Sequence, residues 1–238
     1  MPDLASTLVV IDYQNVHLSG HDVFAPSGLP KHESLVHPLH FASQVVAARN
    51  RVLSIQAVRG QDLDRPQARL DNVVVFRGLP SNLRNPNAYR RSLAQQSEWT
   101  RDRRVSVNYR TLRYHRDGYD WIPQEKGIDV LVALELVRAA DRRTHDIVIL
   151  ASHDTDLEPA LAAAIEGPAE TGISLLGAVV ETSAAPDATT VVEVQPRPHV
   201  ETAGWRGCKV LKAPGHRVWH TALDAQAFVA ARDRKDYS

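Results

Sequence analysis

One cysteine, Cys208, is all that the 238 residues contain. A single thiol excludes an internal disulfide framework and a cysteine-rich zinc site, and it fits a reducing cytosol. Long apolar runs are also missing. Nothing approaches the roughly 18 consecutive apolar residues of a membrane span, and "LASTLVVID" near the start lacks the basic segment and long apolar stretch of a secretion signal. The expectation is a soluble, cytoplasmic protein with no membrane partner. Neither sign of charge is in excess: Lys plus Arg and Asp plus Glu number 28 each. Net charge therefore gives no hint of a polyanionic partner, which must be sought in how charge is distributed. Repeats and low-complexity tracts are absent, and the length suits one large α/β domain, or a domain with a small appendage.

What is present is an alternation of strand and helix signals. "TLVVID" (7–12) is a short β-branched apolar run, as expected of a strand covered on both faces. Strands are likewise expected at 51–58 ("RVLSIQAV"), 72–78 ("NVVVFRG"), 105–112 ("VSVNYRTL"), 146–152 ("DIVILAS") and 172–181 ("GISLLGAVVE"). Helices are expected at 40–51, at 85–102 with Asn85 as cap and Pro86 in the first turn, at 127–143, at 157–166 and at 220–235. Residues 182–204 are small, polar and Pro-rich, closer to a loop or lid than to a linker. This order predicts an α/β fold, a three-layer α/β/α sandwich around a mostly parallel sheet. It also predicts one domain over 1–181, with 182–238 as a C-terminal extension of loop and terminal helix packed on the same domain.

In open parallel sheets the ligand crevice lies beyond the carboxyl ends of the strands. "LVVIDYQNV" puts Asp12 at such an end, with Asn15 one short turn later. "DIVILASHDTD" puts Asp154 and Asp156 at another, and "EKGIDVLVALELV" puts Asp129 in a first helical turn, where an acid suits the helix dipole. Two like charges about 4 Å apart repel by roughly 4 kcal/mol at an effective dielectric near 20. Clustered carboxylates therefore require protonation, separation or a cation. Hard oxygen donors around a partly open position suit Mg²⁺ or Mn²⁺, which can activate a water and stabilise charge on a phosphodiester in flight.

Each acid alone also has a plain structural reading. Asp12 or Asp129 alone reads as a turn or cap residue, and Asp154 with Asp156 as a turn that caps the next helix. Four acids falling at one sheet edge favour the shared site. Glu125 is a weaker candidate, suited to pairing with a base or capping a helix. Glu135, six residues past Asp129, either faces the site or pairs with Arg138. His153 reads as exposed or as a support to the ligands, and His216 with His220 lack the partners of a zinc site.

Charge is unevenly distributed. From Arg77 to Arg116 there are ten arginines and two acids, Glu98 and Asp102, a net of +8, with Tyr89, Trp99, Tyr109 and Tyr114 interleaved. Such a surface suits a polyanion, since guanidinium groups bind phosphate bidentately and aromatic rings stack on unpaired bases. Arg77, Arg84, Arg90, Arg91, Arg110 and Arg113 are the candidate RNA contacts, with Arg77 first among them. Alternatively, half of these arginines are solvated helix positions, and Trp99 and Tyr109 belong to the core.

"VVIDYQNV", "FRGLPS", "YRRSLAQQSEW", "LRY", "EKGIDVLVALELVRAA" and "HDIVILASHDTDLEPAL" together resemble the NYN domain, a branch of the PIN-like nuclease fold. The resemblance covers about residues 7–180, and "VWHTAL" and "DRKDY" are similar to the tail of actinobacterial members. It implies a metal-dependent (endo)ribonuclease with an acidic pocket, for which the hard oxygen donors above suit Mg²⁺ or Mn²⁺. Its motif acids map to Asp12, Asp129, Asp154 and Asp156, with Asn15 as the motif asparagine. His153 stands where a small residue is usual, and Glu135 where the related helix often carries Asp. A homodimer is compatible with this reading. The rival from another class is a non-catalytic RNA-binding or regulatory module that keeps the fold. A dehalogenase-type phosphatase would need Asp where Gln14 stands, and a dinucleotide-binding enzyme would need a Gly-rich first turn, which "DYQNVHLSG" lacks.

Overall fold

The computed structural model describes residues 4–61, 65–118, 120–167 and 196–237. Its elements run β1 (Ala5–Asp12), α1 (Tyr13–Phe24), α2 (Pro38–Val58), β2 (Ala68–Leu79), α3 (Pro86–Trp99), β3 (Val105–Thr111), β4 (Arg113–Asp117), β5 (Asp120–Gln124), α4 (Ile128–Arg142), β6 (Ile147–Ala151), α5 (Glu158–Glu166), β7 (His199–Trp205), β8 (His220–Leu223) and α6 (Ala225–Ala231). Short 3-10 turns occupy Lys31–Glu33 and Thr155–Leu157. Six strands form a central sheet in the order β3-β2-β1-β6-β7-β8, and every neighbouring pair is parallel. Helices cover both faces, so the fold is a three-layer α/β/α sandwich. Strands β4 and β5 form a separate antiparallel hairpin.

The apolar runs work because successive side chains point to opposite faces. Val9 and Ile11 of β1, Val73 and Val75 of β2, and Ile147 and Ile149 of β6 pack with residues of α1, α2 and α6 and with Trp99 of α3. Leu8, Val10, Val148 and Leu150 point the other way, into the layer of α4 and α5. Strands buried on both faces need apolar residues at every position rather than at alternate ones. The chain after β1 enters the first layer and the chain after β6 enters the second. The adjacent strands β1 and β6 therefore flank the point where the winding reverses, which is where open α/β sheets form their crevice.

Three expectations need correction. Residues 51–58 are the second half of α2, not a strand: Phe41, Ala42, Val45, Val46, Arg49 and Leu53 recur on one buried helical face. Residues 220–235 are not one helix but β8 followed by the short α6, which Asp224 caps through the Ala227 amide. The stretch 182–238 is not simply loop plus helix, because it supplies β7 and β8 to the central sheet. The strand expected at 172–181 lies outside the described residues. No helix among the described residues is long and apolar enough to cross a membrane.

A buried ion pair holds β7 in place. Arg49 of α2 donates from Nε to Glu201 Oε2 at 2.8 Å and from Nη2 to Oε1 at 2.9 Å, with both side chains fully buried. Its Nη1 donates to the Pro66 carbonyl at 2.8 Å, and Arg65 adds a second cation to Glu201 at 2.8 Å. With each guanidinium nitrogen of Arg49 hydrogen-bonded, the desolvation of both charges is offset. Glu201→Ala would strand the Arg49 cation in the core, and a loss of about 3–5 kcal/mol is expected. Urea unfolding of the variant checks this, and a loss below about 1 kcal/mol would remove the pair from the account of how β7 is held.

Candidate active site

Two strand ends build the site. Asp12 closes β1 in extended backbone (φ −76°, ψ 91°) just before α1 begins. Beyond β6, the Ser152 hydroxyl donates to Asp12 Oδ2 at 2.9 Å and accepts from the Asp154 amide at 3.1 Å. Asp154 Oδ1 accepts from the Asp156 amide at 3.0 Å and so caps the 3-10 turn. Asn15 Oδ1 accepts from the His153 amide at 2.7 Å, tying α1 to the same turn. Asp154 is thus fixed relative to Asp12 by bonds that cross the β1–β6 boundary.

Asp12, Asn15 and Asp154 border a cleft of about 520 Å³. One wall is α1, through Asn15, Leu18, Ser19 and Asp22, which share a helical face. The facing wall is Glu125 to Asp129, the lead into α4 and its first turn. Five carboxylates, Asp12, Asp22, Glu125, Asp129 and Asp154, line this space against one cation, Lys126. Glu125 Oε1 accepts from the Gly78 amide at 3.0 Å. A Cβ at Gly78 would sit 2.5 Å from that oxygen, so glycine at the end of β2 admits the carboxylate.

The electrostatic strain falls on Asp12. Burial pushes its carboxyl up to about 6, and Glu125 and Asp154 push the same way, while the Ser152 hydrogen bond opposes them. Burial also raises Glu125, against the pull of the Gly78 amide and of Arg77. Among the described residues no three His, Cys, Asp or Glu side chains stand close enough to hold a metal ion by themselves. These residues therefore form no closed cage of protein ligands. Mg²⁺ needs less, since it retains several waters and is commonly held by one or two carboxylates and substrate phosphate oxygens. The donor set of Asp12, Asp129 and Asp154 fits a hydrated hard cation of that kind.

Of the four motif acids, Asp12, Asp129 and Asp154 share the cleft and Asp156 does not: its side chain is exposed and is not among the lining residues. Asp156 serves the site through its backbone amide instead. His153 is neither exposed nor in the cleft. Its Nε2 accepts from the Trp205 amide at 3.0 Å, so Nδ1 carries the proton donated to the Lys209 carbonyl at 2.9 Å. Burial lowers its pKa, in keeping with a neutral ring. The imidazole packs where a Cβ at Gly204 would stand, 2.1 Å from Cε1. Glu135 pairs with Arg142 at 3.6 Å rather than with Arg138.

The arginines disperse. Arg77 is half-buried, with Cζ 4.7 Å from the Tyr13 ring centre and 5.6 Å from that of Trp99, and it donates to Gln95 Oε1. Arg84 covers the Trp121 ring of the hairpin at 3.3 Å, and Arg90 bonds within its own helix to Asn87 at 2.7 Å. Arg101 and Arg104 pair with Glu98 and Asp102. Arg113 is exposed on β4. Arg110 lies beside the cleft wall, since a Cβ at Gly127 would stand 3.2 Å from its Cζ. Arg77 and Arg91 line a second groove described below. Trp99 is fully buried, as the core reading of that residue anticipated. Asp22 was missed by sequence reasoning; its spacing from Asn15 would have placed it once α1 was recognised as a helix.

No protein-family profile matches this sequence. No curated protein matches it either. Among solved structures it is similar to a protein of unknown function from Vibrio parahaemolyticus, with 14% identity, a TM-score of 0.44, and 98% of this chain and 92% of that one covered. That likeness is too distant to bear on activity.

A buried carboxyl with a raised pKa destabilises the fold once it ionises. The unfolded chain releases this proton near the ordinary value of 3.8, whereas the folded metal-free protein holds it to about 6. Between those values the native state binds more protons, so this group's contribution falls as pH rises from about 4 to about 6 and stays low above. Asp12→Asn is therefore expected to gain on wild type by roughly 2 kcal/mol between pH 4 and pH 7. Denaturant unfolding in EDTA at both pH values checks this, and an unchanged difference would mean that Asp12 is not electrostatically strained.

Proposed function

We propose that this chain is a ribonuclease that hydrolyses RNA phosphodiester bonds with the help of Mg²⁺ or Mn²⁺ at the acidic cleft. The observation that carries the reading is that carboxylates from three separate elements, the end of β1, the first turn of α4 and the turn after β6, line one cleft at the winding reversal. A cation held there would supply an acidified water and charge stabilisation at the phosphorus. Asp12 and Asp154 would hold it from the β1–β6 side of the cleft, and Asp129 from the α4 side. Asn15 holds the Asp154 turn rather than contacting the substrate through Oδ1, and Arg110 stands close enough to the α4 wall to meet a phosphate oxygen. His153 takes no part in proton transfer, because both ring nitrogens are engaged with backbone groups. The motif resemblance supports RNA as the substrate class.

The alternative, an RNA-binding module without catalysis, is favoured by the absence of a converged metal-binding group among the described residues. Single-turnover cleavage of single-stranded RNA in Mn²⁺ decides between them. The nuclease reading expects Asp154→Asn to lose at least about 100-fold in rate while retaining RNA affinity. It also expects Mg²⁺ or Mn²⁺ to raise the melting temperature of wild type more than that of the variant. Wild type that binds RNA but does not cleave it in either metal would establish the module instead.

A further inference from the structure

On the other side of the start of α1 lies a larger groove, of about 910 Å³. Its walls are α1, the Lys31–Glu33 turn, α3 and the C-terminal segment 232–237. Gln14 and Leu18 line both this groove and the acidic cleft, so the two spaces adjoin across α1. The charge, however, reverses. Lys31, Arg77, Arg91, Arg232, Arg234 and Lys235 line the groove against Glu33, Asp233 and Asp236. Lys31, Arg91 and Arg234 are exposed and form no ion pair among the described residues.

The walls are held in place. Asp233 is buried, and its Oδ2 accepts from Trp99 Nε1 and from the Tyr237 hydroxyl, each at 2.7 Å. Its backbone amide donates to the Leu35 carbonyl at 2.7 Å, Arg232 pairs as a β-bridge with Val36, and Lys235 reaches Glu98 of α3. The C-terminal segment is therefore tied down on both sides of Arg234. The Lys31 turn is held by His17, whose Nε2 bonds the Lys31 carbonyl at 2.9 Å. Arg77 is fixed by its two rings and Gln95. A cation whose rotamer is already set gives up less entropy when it binds phosphate.

We propose that this groove carries the RNA strand on one side of the cleft: a few unpaired nucleotides whose backbone phosphates meet Arg77, Arg91, Lys31 and Arg234, with the C-terminal segment as the outer wall. This rests on the ribonuclease reading of the cleft. The volume is at the upper end for small-ligand pockets, which admits a short single strand and excludes the body of a duplex. Phosphate contact by basic side chains supplies affinity without sequence choice.

Fluorescence anisotropy of an oligouridylate of about ten nucleotides, titrated in EDTA across salt concentrations, tests it. Arg91→Gln and Arg234→Gln should each flatten the slope of log Kd against log salt by about 0.7, and the double variant by about twice that. Asp154→Asn should keep the wild-type slope. Both arginines are exposed, so unchanged melting temperatures are expected and confirm that the variants are folded. Wild-type slopes for both groove variants, with Arg110→Gln flattened instead, would move the strand to the hairpin side and overturn the groove while leaving the nuclease reading intact. A duplex that binds as tightly as the single strand, with the same dependence on Arg91 and Arg234, would overturn the single-strand assignment. Wild type that neither binds nor cleaves the oligonucleotide would remove the nuclease reading and the groove together.

Discussion

The parallel pairing of β1 with β6 is the constraint on which the rest depends. These central strands run in register from Thr7 opposite Ile147 to Ile11 opposite Ala151. Side chains fasten both ends of the pair. At the start, Asp146 Oδ2 accepts from the Ser6 amide and hydroxyl, each at 2.7 Å; at the finish, Ser152 bonds Asp12. Because the two strands end level and their following helices leave to opposite faces, the space between them cannot be filled by either helix. A slip of one residue would exchange the two faces of β1, put Val10 where Val9 belongs, and separate Asp12 from Ser152.

That geometry explains how the fold tolerates carboxylates at a sheet edge. Asp12 is buried because the strand that carries it is buried. Its neighbours Asp154 and Glu125 are kept near by backbone amides that require an acceptor, those of Asp156 and Gly78. The hydrogen bonds that hold the acids stabilise each carboxylate singly but keep the like charges close together. A cation would answer that repulsion, as would the retained proton that burial allows Asp12.

Across α1 the charge has the opposite sign, and a different anchor governs it. Asp233 draws the C-terminal segment against Trp99, and the ring system of Trp99 and Tyr13 in turn carries Arg77. An acidic cleft and a basic groove meeting over Gln14 and Leu18 form one continuous surface, with one part suited to a cation and the other to phosphate.

Several of these features follow from local sequence. The doubly covered strands are legible because burial on both faces demands unbroken apolar runs, as in "TLVVID" and "DIVILA", and the start of α3 is legible because Asn85 caps it through the Ala88 amide. The acids at the end of β1 and shortly after β6 are legible as strand-end groups for the same reason. Other features were decided only by contacts distant in the chain. Residues 51–58 have β-branched content, yet they continue α2, since Leu53 completes a buried face begun at Phe41. Strand β7, "HVETAGW", reads as polar because Glu201 lies in it, and it can be a core strand only because Arg49, 152 residues earlier, neutralises that carboxylate. Arg77 reads as a surface cation until Tyr13 and Trp99 are brought beneath it. Asp156 reads as a ligand until the 3-10 turn, capped by Asp154, carries its side chain out of the cleft. Periodicity is encoded locally, because each residue's facing follows from backbone geometry. The partner of a buried charge is not, because only the folded chain brings that partner within reach.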